Sequence, residues 1–185
     1  MHATLALLAL IAVPEVELGL GASASDALAP VGWVRAGARS GLLGLSLHGL
    51  YVAGAQGRCL ADGSSADPSG YQAWMLGPEV RLFTPGGWGF FGGGLGIGKL
   101  VSSNCSCSER LPAVGRLGFA GHAMIGGRID LGAVYLAPEL GALFFTHVDQ
   151  PRGQWNQESH GGQTGLMLGL TLGWSGRQVS GAGAP

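Results

Sequence analysis

Along most of the chain, apolar side chains recur at every second position. In 163–174 the even positions hold Leu166, Leu168, Leu170, Leu172 and Trp174, and the odd positions hold Gly165, Met167, Gly169, Thr171 and Gly173. A helix would scatter these leucines around its axis, whereas a strand gathers them on one side. The same alternation runs through 15–22, 32–39, 42–53, 71–83, 89–100, 113–125 and 131–145. Eight strands are predicted. Short turns connect them at 40–41, 84–87 and 126–128, and a short polar break lies at 25–30. Long polar loops are expected at 56–70, 102–112 and 146–162.

The two faces differ in kind. One collects Leu, Val, Ile, Phe and Trp with no charge. The other is mostly Gly and Ala, but it carries Glu15, Glu17, Glu79 and Glu139 against Arg35, Arg39, Arg81 and Arg116, with Ser46, His48, His122 and Thr171 beside them. A soluble barrel would turn the apolar face inward and the charged face to water. Its solvent face would then be mostly glycine. A membrane barrel reverses the assignment, apolar to lipid and polar to the lumen, and closing the sheet satisfies every backbone group. A charge buried alone costs several kcal/mol, so equal numbers of the two signs are what such a lumen requires. The glycines are expected to make room there for long Glu and Arg side chains. Arg35, Arg39, Arg81, Glu15, Glu17 and Glu79 fall in the half nearer the short turns, which predicts a salt-bridge cluster in that half and no open pore.

Composition strengthens this picture. Charged residues make up 11% of the 185 positions, against about 25% in a typical soluble domain. A net charge of −1 excludes the basic footprint that nucleic acid requires. The fold class expected is all-β: an eight-stranded antiparallel up-and-down transmembrane barrel over 14–175. Residues 176–185 are predicted to be a disordered tail. Residues 1–13 contain an apolar run of signal-peptide length without a basic start, and read as a signal remnant or as an additional apolar segment.

With eight alternating segments, three short turns, long opposite loops and a last strand ending in Trp174, the sequence resembles the small eight-stranded outer-membrane barrels of Gram-negative bacteria, the OmpA- and OmpX-like group. The resemblance is one of pattern. It implies outer-membrane lipid as the surroundings and a surface partner reached through the long loops. Tyr51, Trp74 and Phe144 near the long-loop rim, and Trp88 and Trp174 near the short-turn rim, are the expected interface aromatics.

Candidate chemistry is sparse. Cys59, Cys105 and Cys107 lie in two loops on one rim; one inter-loop disulfide, free thiols and metal ligation all remain open. No metal spacing is recognised, and no metal or cofactor is expected. His48 and His122 point into the lumen and read as polar filling. A lipid-modifying enzyme of the same fold would draw on His147, Ser159 and His160, but Ser159 and His160 are adjacent and poorly placed as nucleophile and base. Gly92 to Gly96 lacks the Lys-Ser/Thr ending of a phosphate loop. No catalytic residue is assigned.

Overall fold

The computed structural model describes residues 12–24, 28–53, 69–106, 109–110, 117–146, 148–149 and 163–176. Eight long strands are present: β1 Val13–Ala24, β2 Leu28–Ser40, β3 Leu43–Ala53, β4 Ser69–Phe83, β5 Gly89–Ser106, β6 Leu117–Gly127, β7 Val134–Phe145 and β8 Gln163–Ser175. The shortest, β3 and β6, have 11 residues, enough for a tilted strand to cross a hydrocarbon layer. Each strand pairs antiparallel with the next, and β8 pairs with β1 to close the sheet. Ser175 pairs with Glu15. The row continues through Gly37, Ser46, Glu79, Gly94, His122 and Leu143 to Gly165. That is ten residues from its start on β8, so the strands are strongly staggered.

The facing of the strands follows the alternation. Leu166, Leu168, Leu170 and Leu172 are 51–64% exposed, and Leu18, Leu20, Leu45, Leu47, Leu95, Ile97, Phe119 and Ile125 also point outward. A lumen lined by these leucines, as a soluble ligand-binding barrel would need, is therefore ruled out. Tyr51, Trp88 and Trp174 are exposed, and Trp74 and Phe144 are half-buried on the same outer surface.

Several boundaries differ from expectation, each for a local reason. β2 begins at Leu28, inside the expected polar break, where Ala24 pairs with Leu28. The expected turn at 126–128 is instead strand and strand continuation. Ile129–Leu131 pairs with β7 in the same register as β6 does, and the chain reverses at Gly132, whose φ is +90°. Gly126 is small because the Phe90 ring lies where its Cβ would be. The β6–β7 ladder skips two pairs, at Ala137 and at Pro138, which has no N–H to donate, and the β4–β5 ladder skips two at Gly77 and Pro78. Both gaps lie beside an inward glutamate, Glu139 or Glu79. The expected loop at 102–112 begins as strand: β5 runs to Ser106, and Glu109–Arg110 folds back onto it. Within the expected loop at 146–162, Val148–Asp149 pairs parallel to Leu100 and Val101. Residues 1–11 and 177–185 lie outside the described residues, whereas Val13 already belongs to β1.

The lumen is layered. Toward the long-loop rim, Ala29, Val31, Trp33, Leu50, Val52, Ala73, Met75, Leu100, Ala120, Leu143, Phe145 and Met167 form one buried apolar cluster. Toward the short-turn rim, Phe83, Phe90, Met124, Tyr135 and Ala137 form another. Glycine makes room for a charged side chain at Gly92, beside the stem of Arg81, and at Gly87, beside the Arg39 guanidinium; Gly21, Gly77 and Gly96 instead lie close against neighbouring backbone, and other glycines make room for rings. The Trp33 indole occupies the positions a Cβ would take at Gly19 and Gly169, and the Tyr135 ring does so at Gly173.

Candidate functional site

Between the two apolar clusters lies a layer of ionisable side chains. Strand alternation sends Glu17, Arg35, Glu79, Arg81 and Glu139 inward from β1, β2, β4 and β7, and each is at most 4% exposed. Arg35 is the hub. Its Nε donates to Glu79 Oε2 at 3.0 Å. One terminal nitrogen donates to Glu17 Oε2 at 2.9 Å and to Glu139 Oε1 at 2.7 Å. The other donates to Glu139 Oε2 at 2.7 Å and to the Met124 sulfur at 3.2 Å. All five N–H groups of the guanidinium therefore have acceptors, and the paired contacts to Glu139 are bidentate.

Arg81 supports the hub from one side. Its terminal nitrogen lies 2.6 Å from Glu17 Oε1, and its Nε lies 3.1 Å from Glu79 Oε1. The Tyr135 hydroxyl donates to Glu17 Oε1. Trp33 Nε1 donates to Thr171 Oγ1 at 2.9 Å, and Thr171 donates onward to Glu139 Oε1 at 2.7 Å. This relay joins the charged layer to the apolar cluster above it.

The remaining candidates lie apart from the hub. Glu15 is bound by Arg128 at 2.7 Å, and Arg128 also donates to Asp130 at 2.7 Å while lying 3.6 Å from the Tyr135 ring centroid. Arg39 stacks over Phe83 at 3.8 Å and donates to the Gly41 carbonyl. Arg116 lies outside the described residues, as do Cys59 and Cys107, and nothing is described of the Cys105 side chain beyond its backbone place in β5. His147, Ser159 and His160 also lie outside the described residues.

Arg128 and Tyr135 were not among the expected cluster residues. Ile129 and Leu131 keep the odd-numbered outward parity of Ile125, which would have carried the strand through Arg128 and turned it inward.

His48 of β3, the direct cross-strand partner of Arg35, and His122 of β6 flank Glu79. His122 Nε2 is 2.8 Å and His48 Nδ1 is 3.2 Å from Glu79 Oε2. The two rings meet edge to face at 4.3 Å. Neither ring nitrogen of His48, nor His122 Nδ1, nor Ser46 Oγ has a hydrogen-bonding partner in the protein. One ligand atom from each of His48, Glu79 and His122 lies within 4.8 Å of the others.

No protein-family model matches the sequence, and a comparison with curated proteins finds no match. The fold is similar to that of Neisserial surface protein A, with a TM-score of 0.60 at 9% identity over 88% of this chain and 96% of that one. Ail, the attachment invasion locus protein of Yersinia pestis, is also similar, with a TM-score of 0.49 at 9% identity over 88% and 97% of the two chains. A major outer membrane protein from Thermus thermophilus aligns with a TM-score of 0.44 at 15% identity over 88% and 99%. The first likeness bears out the expected fold, an all-β eight-stranded antiparallel barrel.

Proposed function

We propose that this protein is an outer-membrane barrel with a structural or surface-interaction role and without an open pore. One observation carries the reading: among the described residues the closed sheet turns an apolar belt outward, with Lys99 of β5 the charge on that face of the eight strands, and holds Glu17, Arg35, Glu79, Arg81 and Glu139 inside. Leu18, Leu20, Leu166 and Leu168 are each at least 63% exposed, whereas Glu17, Arg35, Glu79 and Glu139 are each 1% exposed. A soluble protein would not leave so continuous an apolar belt in water, and lipid accepts it without cost. The charged layer, held between two apolar clusters, fills the narrow lumen of an eight-stranded barrel. The partners in this reading are outer-membrane lipid around the belt and a surface partner at segments 56–70, 102–112 and 146–162.

Fractionation and conductance test the two halves of the reading. The full chain should sediment with outer membranes and need detergent for release; recovery in the aqueous fraction would end the membrane assignment. Reconstituted in planar bilayers, it should leave conductance at background. Stable single-channel steps from the folded protein would overturn the closed lumen.

A further inference from the structure

We propose that His48, Glu79 and His122 form a binding site for a divalent first-row transition ion of the zinc class, set inside the barrel wall. The three residues come from β3, β4 and β6. Two imidazoles and one carboxylate are a donor set that suits such ions. Tetrahedral zinc with bonds near 2.0–2.1 Å separates its ligand atoms by about 3.3 Å. The present separations to Glu79 Oε2, which also accepts from Arg35 Nε, are 2.8 Å and 3.2 Å, and one ligand atom from each residue lies within 4.8 Å of the others. Small side-chain torsions would therefore admit an ion without moving the wall.

Two further observations point to a ligand. His48 is fully buried, yet its Nε2 meets no hydrogen-bonding group of the protein, and its Nδ1 meets only Glu79 Oε2, at 3.2 Å and off hydrogen-bonding geometry. Buried polar groups are ordinarily satisfied, so the bare Nε2 calls for an explanation. Ser46, directly across from Glu79 in the β3–β4 register, also has an unpartnered hydroxyl. Charge points the same way. Glu17, Glu79 and Glu139 outnumber Arg35 and Arg81, so with neutral imidazoles the buried layer carries a net negative charge that favours a cation. Bound there, the ion would tie three strands of one arc of the wall together as a structural clamp. This inference rests on the charged layer and not on the membrane placement.

The test uses the untagged full chain, unfolded, stripped with a chelator and refolded in detergent with or without zinc chloride. After gel filtration, atomic absorption should find one zinc ion per folded chain, and the unfolding midpoint should rise with zinc. His48→Ala and His122→Ala should each reduce retained zinc to background and abolish the rise. Refolding the unaltered chain with cobalt(II) should give the visible absorption of a tetrahedral site, a readout that does not depend on the variants folding. Folded wild-type protein without stoichiometric zinc, zinc retained equally by both variants, or no cobalt absorption would each overturn the site.

Discussion

The two halves of this lumen solve the same packing problem by different means. Toward the long loops, Trp33, Met75, Leu100 and Met167 fill space by volume. At mid-lumen, Arg35 fills space by pairing, with every donor committed to a particular acceptor. An apolar stack tolerates shape-preserving exchange, because dispersion and burial are not directional. A buried charge layer does not, because losing one member leaves its partners charged and unsolvated. The difference teaches that the charged layer can select one arrangement of four strands, whereas the apolar cluster supplies burial with less discrimination.

Substitutions can sharpen or break that contrast. The largest effect is expected from Arg35→Met, which leaves Glu139 without its cation and Glu17 and Glu79 with Arg81 alone, and should cost about 3–5 kcal/mol. Urea unfolding in phospholipid vesicles would read it as a large fall in midpoint. Next is Leu168→Arg, a charge placed on the outer belt, which should lower stability by about 2–4 kcal/mol at mid-bilayer. The same change would be nearly silent if the belt faced water. Gly169→Ser comes third: its side chain would enter the space of the Trp33 ring, with overpacking costing about 1–3 kcal/mol. Tryptophan fluorescence should shift with the midpoint, and an unperturbed spectrum would mean the indole lies elsewhere. The smallest effect is expected for Met75→Leu, below about 1.5 kcal/mol. Equal losses for Met75→Leu and Arg35→Met would erase the distinction between the two halves.

The outward faces were legible in the sequence because period two is local. Leu166 to Leu172 need only their own strand to declare a side. The inward membership of Glu17, Arg35, Glu79 and Glu139 was legible for the same reason. Their convergence on one hub depends on stagger, since residues on four strands meet only when the register of every intervening pair is set. The apolar stack was legible in principle: Trp33 shares the parity of Arg35, Leu50 and Val52 that of His48, and Met75 that of Glu79. The charges on that face drew attention away from them. The turn after β6 was misplaced because Gly126-Gly127 carries the composition of a turn, while Gly126 serves close packing against the Phe90 ring and the Pro138 carbonyl. The approach of His48 to His122 had no sequence signal at all, because neither residue is near the other or Glu79 along the chain.

Strand parity has one more consequence. β1 begins and β8 ends at the short-turn rim, where the Gly176 N–H donates to the Pro14 carbonyl. An even number of crossings returns the chain to the side from which it set out. Labels placed at residues 12 and 176 would therefore lie on one side of the barrel, while a peptide spliced between β3 and β4 would lie on the other. The barrel is by this geometry a two-sided scaffold, addressable from each side without cutting a strand.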